Sequence, residues 1–182
     1  MRLSALELPE VLLIEHRVFE DPRGAFFESW NERVFAAAGI EARFVQENVS
    51  RSCAHALRGL HYQLPHAQGK LVRVLSGAIF DVVVDLRRSS PTFGRSATVN
   101  LDARRQQSLW VPVGFAHGFL ALADETRVQY KVTDFWAREN EHTLAWDDPA
   151  LDIRWPLPAG VTPLLSAKDR EGAPLARAEC FP

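Results

Sequence analysis

Two histidines with polar neighbours are the residues of this chain best suited to chemistry. His61 lies in the segment His61-Tyr62-Gln63, and His117 follows a glycine-containing turn at Pro112-Val113-Gly114. Imidazoles bind divalent metals or transfer protons, and a catalytic metal needs about three or four nitrogen or oxygen ligands. Near His61 the sequence offers an amide, Gln63, and a cation, Lys70, which would repel a metal. Ligand counting therefore predicts that no catalytic metal is bound here.

The elements that must position these side chains are short β-strands separated by glycine, proline, asparagine and aspartate. Runs of this length and spacing are typical of a β-sandwich or barrel. A tight hairpin turn is predicted at Ser76-Gly77, between the first two runs. The strand candidates are Leu71–Leu75, Ala78–Leu86, Ser96–Leu101, Ser108–Val111, Gly118–Ala123 and Arg127–Thr133.

Alternation within these strands predicts four groups of residues on shared faces, since residues two apart in a strand point to the same side. Each group sets polar side chains among apolar ones, and a polar side chain that points into a barrel needs a partner or a ligand. The groups are Lys70, Val72 and Val74; Asp81, Val83 and Asp85; His117, Phe119 and Ala121; and Val128, Tyr130 and Val132.

Helical signals are few. A helix is predicted over Asn31–Ala38, where Asn31 is suited to the N-cap and Gly39 to the stop. A second, shorter helix is predicted near Ser166–Arg170. Because the sequence has no internal repeat or linker, we expect one all-β domain over residues 1–182, with short flanking helices and a less regular C-terminal tail from about residue 160.

Composition and charge narrow the class of partner. The chain has 182 residues, 47% of them hydrophobic, and a formal net charge of −2, without the basic surplus of nucleic-acid-binding proteins. The apolar run Val11–Ile14 is too short for a signal peptide or a membrane span, but it is a candidate for strand-edge pairing. The two cysteines, Cys53 and Cys180, are expected to be unpaired thiols. We therefore expect a cytoplasmic protein with neither a nucleic-acid nor a membrane partner.

The stretch from Pro112 to His117 resembles the Pro-x-Gly-x-x-His motif of cupins, which are small double-sheet barrels. His61 and Gln63 lie where a metal-binding cupin carries His-x-His, so Gln63 replaces the second metal ligand. His66 and Asp81 are the residues that would have to complete a metal site. The resemblance implies a cupin-like double-stranded β-helix, or jelly-roll barrel, and the ligand count predicts no metal and no cofactor in it.

Five motifs, in consistent order along the chain, carry a more specific resemblance. Together they resemble the dTDP-4-dehydrorhamnose 3,5-epimerase family, from about Glu7 to Pro174. The motifs are Arg58-Gly59-Leu60-His61-Tyr62-Gln63, Gln68-Gly69-Lys70, Ser89-Ser90-Pro91-Thr92-Phe93-Gly94, Gly114-Phe115-Ala116-His117-Gly118-Phe119 and Ser166-Ala167-Lys168-Asp169.

This resemblance implies conversion of dTDP-4-keto-6-deoxy-D-glucose to dTDP-4-keto-L-rhamnose, by inversion of C3 and C5 on either side of the C4 ketone. Each inversion removes a proton next to a carbonyl and returns one to the opposite face. It needs a base, an acid and a group that holds the enolate oxygen. His61 matches the family's base, and Asp169 matches the carboxylate paired with it. Tyr130 matches the acid, and Lys70 matches the cation near the C4 oxygen.

The resemblance also implies a set of residues that bind the dTDP-sugar. Arg23, Arg58 and Lys168 match residues near the diphosphate, and His117 matches one in the sugar pocket. Asp81 is suited to support a histidine inside the barrel. The remaining matches to sugar-nucleotide contacts are Glu28, Gln46, Glu47, Asn48 and Glu141, together with Lys70.

Two departures from the family pattern lie close to this set. Phe135-Trp136 stands where many members carry Tyr-Tyr, whose second residue stacks on the thymine ring. Because tryptophan stacks at least as well, we expect Trp136 to bind the base, while the lost phenol contacts alter base or sugar preference. The loop from His61 to Lys70 is one residue shorter than in some members.

Three other functions remain open on the residues alone. Some relatives invert only one carbon or serve other deoxysugar pathways, and one base and one acid would serve either carbon. A 3,4-ketoisomerase on a related barrel would move the carbonyl between C3 and C4, and a non-catalytic cupin would bind the dTDP-sugar without isotope exchange.

The family resemblance further implies a homodimer with exchanged N-terminal strands, in which Arg23 and Glu28 enter the neighbour's pocket.

Overall fold

The computed structural model describes all 182 residues, and its strands form two facing sheets and a separate hairpin. The strands are β1 Arg2–Ala5, β2 Leu12–Glu15, β3 Phe19–Asp21, β4 Gly24–Phe26, β5 Gln46–Ser52, β6 Leu57–Gln63, β7 Lys70–Ser76, β8 Ala78–Asp85, β9 Ser96–Asp102, β10 Gln107–Val111, β11 Phe115–Ala121, β12 Thr126–Val132 and β13 Glu141–Thr143. The six-stranded sheet has the order β1-β2-β10-β7-β12-β5, and the five-stranded sheet has the order β13-β6-β11-β8-β9. Strands β3 and β4 form the hairpin.

The main core lies between the two large sheets. Its buried side chains include Val72 and Val128 from one sheet and Val83 and Phe119 from the other, with Tyr130 packed against them. These residues belong to the predicted shared faces, so the alternation is confirmed. All strand pairs in both sheets are antiparallel, which matches the predicted all-β, cupin-like jelly roll.

The outer faces of the sheets are covered by the flanking segments. A second apolar cluster on the five-stranded sheet packs under Leu151 and under the C-terminal tail, which contributes Ala178 and Phe181. A third cluster on the six-stranded sheet packs under the first helix, which contributes Phe35. Both large sheets are therefore covered on two sides, which explains why the strands carry apolar residues on both faces.

Both predicted helices are confirmed. The first, α1, spans Glu32–Ala37, and the Asn31 side chain accepts hydrogen bonds from the backbone of residues 33 and 34. The second, α2, spans Ala167–Arg170, and the Ser166 side chain caps it by accepting from the Asp169 N–H. Apart from α2, the chain beyond residue 160 forms only isolated bridges and turns.

The predicted hairpin at Ser76-Gly77 is wrong. The strands on either side, β7 and β8, lie in different sheets and do not pair with each other. Gly77 has a φ of +76°, and a Cβ atom there would lie 2.3 Å from Oγ1 of Thr126. The two residues form a corner by which the chain passes from one sheet to the other, and this corner needs glycine because it packs against Thr126.

The prediction of an edge strand at Val11–Ile14 is also wrong within this chain. Strand β2 pairs with β1 on one side and with β10 on the other, so β1 forms the edge instead. Val11 and Ile14 are fully buried: Val11 lies in the main core and Ile14 lies in the cluster under α1.

No helix in the structure is both long enough and apolar enough to cross a bilayer.

Candidate active site

A cavity of about 490 Å³ opens between the two large sheets. Strands β5, β6, β7, β11 and β12 contribute side chains to it, together with the loop after β12 and the N-terminus of α2. Inward side chains alternate with outward ones in β5, which adds Gln46, Asn48 and Ser50 to the lining. The polar lining includes Gln46, Asn48, Ser50, Arg58, His61, Gln63, Gln68, Lys70, His117, Tyr130, Glu141, Lys168 and Asp169.

His61 and Asp169 form a hydrogen-bonded pair in this cavity. Nε2 of His61 lies 2.6 Å from Oδ1 of Asp169, and the same carboxylate accepts from the Ser166 hydroxyl at 2.6 Å and the Gly59 N–H at 3.3 Å. Burial raises the pKa of Asp169, but the bonds from His61 and Ser166 outweigh it and hold that pKa at about 2. The carboxylate therefore stays ionised and fixes the imidazole ring.

This pairing decides which nitrogen of His61 is basic. With Nε2 donating to Asp169, Nδ1 keeps its lone pair. Burial lowers the pKa of His61 below its ordinary value of 6.5, although the hydrogen bond to Asp169 acts in the opposite direction. At neutral pH the ring is therefore neutral and ready to accept a proton.

Lys70 brings a cation into the barrel beside His61. Its side chain is only 7% exposed, and Nζ donates to the backbone carbonyl of His61 at 2.9 Å. Burial lowers the pKa of Lys70 to about 8. The ammonium is thus still largely present at neutral pH, in a place where few other groups satisfy its hydrogen-bonding capacity.

Tyr130 faces the cavity from β12, where it lies opposite Val72 of β7 and Asn48 of β5. Burial raises the pKa of the Tyr130 phenol. The hydroxyl is therefore protonated throughout the physiological range, which is the state required of a proton donor.

A second histidine–aspartate pair lies deeper in the barrel. Nε2 of His117 lies 2.9 and 3.0 Å from the two carboxylate oxygens of Asp81, which is fully buried. Burial raises the pKa of Asp81, and the neighbouring His117 acts against this. Asp81 thus supports a histidine inside the barrel, as the sequence predicted.

Two glycines allow the strands that carry these histidines to approach closely. Gly59 has a φ of +120°, and a Cβ atom there would lie 2.6 Å from Cα of Gly118. The register between β6 and β11 shifts at this point, between His117 and Phe119. The backbone contact places His61 opposite His117 across the two strands.

Sequence comparison explains this arrangement. The model of the family described as dTDP-4-dehydrorhamnose 3,5-epimerase matches residues 5–177. The chain belongs to this epimerase family. A curated member from Pseudomonas aeruginosa is 53% identical over 183 residues, covering 100% of both chains.

Two solved structures of epimerases have folds similar to that of this chain. The epimerase from Legionella pneumophila, in complex with dTDP-4-keto-L-rhamnose, has a TM-score of 0.93 at 42% identity and covers 98% of this chain and 94% of its own. A 3'-monoepimerase from Streptomyces bikiniensis, in complex with dTDP-quinovose, has a TM-score of 0.88 at 35% identity and covers 95% of this chain and 87% of its own. The cupin-like fold is therefore shared by enzymes of both kinds.

Most residues matched to the epimerase family lie together in the cavity. Glu141 and Lys168 pair at its mouth, with Oε1 and Nζ 2.7 Å apart. Arg58 also lines the cavity, and its guanidinium donates to Oγ of Ser52 and the carbonyl of Arg51. The other predicted residues in the lining are Gln46, Asn48, His61, Lys70, His117, Tyr130, Trp136 and Asp169.

Three predicted residues lie outside the cavity of this chain. Glu47 points to the opposite face of β5 from Gln46 and Asn48, where its carboxylate pairs with Lys131. Arg23 and Glu28 lie on and after the β3–β4 hairpin, and Arg23 pairs with Asp21 with its side chain 90% exposed. Strand alternation explains Glu47, since contiguous residues cannot share one face.

Sequence reasoning missed several residues of the lining. Ser50 continues the alternation of Gln46 and Asn48, so the assignment of β5 as a strand would have found it. Gln63 and Gln68 were identified only as parts of motifs, without a role. Among the histidine, cysteine, aspartate and glutamate side chains, no group of three or more is placed to hold a metal ion.

Proposed function

We propose that this protein epimerises dTDP-4-keto-6-deoxy-D-glucose at C3 and C5, giving dTDP-4-keto-L-rhamnose. The observation that carries the proposal is the His61–Asp169 pair, which shares one cavity with the Lys70 ammonium and the Tyr130 phenol. These groups supply the base, the oxyanion partner and the acid that inversion next to a ketone requires. Membership of the epimerase family supports the same substrate.

In the proposed reaction, Nδ1 of His61 removes the proton from the carbon next to the C4 ketone. Asp169 stabilises the imidazolium that forms, and the Lys70 ammonium stabilises the negative charge that develops on the C4 oxygen. Tyr130 then donates its phenolic proton to the opposite face of the same carbon, and solvent returns a proton to the tyrosinate. His61 releases its proton before the second carbon reacts.

The nucleotide is proposed to lie toward the mouth of the cavity. Arg58 and Lys168 offer cations to the diphosphate, and the half-exposed Trp136 indole offers a stacking surface to the base. Exposure supports this division, since the Lys168 side chain is half-exposed while the two histidine–aspartate pairs are largely buried.

The experiment that tests the function incubates the protein with dTDP-4-keto-6-deoxy-D-glucose in D₂O and follows the sugar by NMR. We expect deuterium at both C3 and C5, and the same rate in the presence of EDTA, because Lys70 supplies the positive charge at the C4 oxygen. Label at C3 alone would instead make the protein a monoepimerase like its Streptomyces bikiniensis relative. Migration of the carbonyl to C3 would indicate a ketoisomerase, and no label would refute an enzymatic role.

We further propose that two copies of the chain associate through the β3–β4 hairpin. Every residue of this hairpin's strands is exposed, including Phe19 and Phe26, which lie opposite each other. An isolated two-stranded hairpin is marginally stable in water, so a partner surface is expected to cover it. Arg23 would then reach the pocket of the second copy. Light scattering that gives a monomer mass at micromolar concentration would contradict this proposal.

Replacing Tyr130 by phenylalanine is expected to separate proton removal from inversion. Without the phenol, His61 still exchanges the substrate proton with D₂O, but donation to the opposite face slows by about 100-fold. The measurement is the ratio of deuterium in recovered substrate to product formed. Tyr62→Phe is the matched control, because the Tyr62 hydroxyl donates to the carbonyl of Glu179 and turnover should stay near wild type. An equal loss of exchange and inversion in Tyr130→Phe would contradict the acid role.

The pH dependence of kcat/KM is expected to have two limbs. On the acid side, the value falls as His61 becomes protonated, and burial places that limb below pH 6.5. On the alkaline side, it falls above about pH 8, because the Lys70 ammonium loses its proton there. Initial rates between about pH 5 and 10 at low substrate concentration measure both limbs. A profile that stays flat to the alkaline end of this range would contradict the role of the Lys70 charge.

A further inference from the structure

The loop that carries Trp136 is held by three glutamine side chains. We call residues Asp134–Ala137 the stacking loop. Gln46 accepts from the Trp136 N–H at 3.0 Å, and Gln68 donates to the Asp134 carbonyl at 2.9 Å. Gln63 makes two further contacts with the backbone of the loop. The stacking loop is therefore anchored to β5, to β6 and to the segment before β7.

Gln63 makes the largest share of these bonds. Its Oε1 accepts from the Ala137 N–H at 2.8 Å, and its Nε2 donates to the carbonyls of His66 at 2.8 Å and Phe135 at 3.2 Å. The side chain is 3% exposed, so water does not replace these partners readily. An amide offers the two donors and one acceptor that these bonds use, whereas a carboxylate would face two carbonyl oxygens without a proton to donate.

Apart from the glutamine bonds, the stacking loop has two contacts with neighbouring segments: the Asp134 carboxylate lies 3.2 Å from Nδ1 of His66, and the Ala137 carbonyl accepts from the Asn140 N–H at 3.1 Å. The Trp136 side chain is 52% exposed and that of Phe135 is 63% exposed, so neither is held by the core. The loop belongs to no sheet, and its backbone groups need partners from elsewhere. The backbone position of Trp136 thus depends mainly on the glutamines, which bond to its own N–H, to the Phe135 carbonyl and to the Ala137 N–H.

We propose that Gln63 is a positioning residue that sets nucleotide affinity by fixing the stacking loop. This proposal rests on the proposed function in one respect, because it assumes that Trp136 stacks on the nucleotide base. Gln63 stands two residues after His61 on β6, where a metal-binding cupin carries its second ligand histidine. In this chain the side chain at that position turns to the loop instead and organises the nucleotide end of the cavity.

The test is a double-mutant cycle between Gln63→Leu and Trp136→Ala, with the Kd for dTDP as the readout. We expect Gln63→Leu alone to raise the Kd about tenfold and the KM similarly, with kcat within about threefold of wild type. In the Trp136→Ala background, Gln63→Leu should add less than a twofold change, because the ring that it positions is already absent. Gln129→Leu, on the outer face of β12, is the matched control and should leave the Kd unchanged.

Additive effects in the cycle would overturn the proposal, as would a loss of kcat with an unchanged Kd. If Gln63→Leu does not fold, Gln68→Leu replaces it in the cycle, with an expected threefold rise in Kd, since it releases a single loop carbonyl. The Kd for dTDP needs no turnover. Failure of the wild-type protein to exchange deuterium would therefore refute the proposed function without deciding the role of Gln63.

Discussion

His61→Asn is expected to lose solvent exchange at both C3 and C5. Asparagine retains a polar side chain of similar size but has no basic nitrogen, so the substrate proton has no acceptor. General-base catalysis contributes roughly 10²–10⁴-fold, and we expect a loss of at least about 1,000-fold because one base serves both carbons. The measurement is deuterium incorporation by NMR at saturating substrate.

The control for this variant is His55→Asn. His55 has a φ of +64°, which asparagine tolerates, and it takes part in the fold through its backbone N–H and carbonyl. We expect His55→Asn to exchange at the wild-type rate and both variants to keep a cooperative thermal transition. Exchange at one carbon only in His61→Asn would show that a second base serves the other carbon.

Lys70→Met is expected to reduce kcat by about 10²–10³-fold, as is typical when a group that stabilises an oxyanion is removed. The same substitution is expected to stabilise the fold. Burial lowers the pKa of Lys70 from 10.5 to about 8, so below pH 8 the folded state carries a cation that it disfavours, at a cost on the order of 3 kcal/mol. Methionine fills similar space without this cost. Activity and thermal melting at neutral pH measure the two effects.

Lys131→Met is the matched control, since Lys131 lies on the outer face of β12 and pairs with Glu47. Its kcat should stay near wild type and its Tm should change little. A Lys70→Met variant that melts well below wild type would contradict the expected stabilisation. One that keeps near-native kcat would remove Lys70 from the mechanism.

Local patterns in the sequence predicted the residues that face the barrel interior. Two-residue alternation grouped Lys70, Asp81, His117 and Tyr130 with apolar residues on shared faces, and in the structure these faces point inward. The same rule, applied to β5, separates Glu47 from its neighbours on either side. The family resemblance matched Gln46, Glu47 and Asn48 together as substrate contacts. In the strand, Glu47 points to the opposite face from the other two.

Long-range pairings were beyond any local pattern. His61 and Asp169 are separated by 108 positions, and only the family resemblance linked them. The corner at Ser76-Gly77 has the same residues as a hairpin turn, and its role is decided by Thr126, which lies far along the chain at the start of β12. The glutamine contacts to the stacking loop likewise join four separate segments of the chain.

The tail beyond residue 160 must pack against the barrel before the active site is complete. It supplies Asp169, which orients the imidazole, and its later residues cover the five-stranded sheet. A barrel whose tail has detached would still hold His61, Lys70 and Tyr130, but the ring of His61 would be free to rotate. Docking of this last segment thus completes the proton-transfer machinery, so loss of turnover during gentle heating would report tail release ahead of global melting.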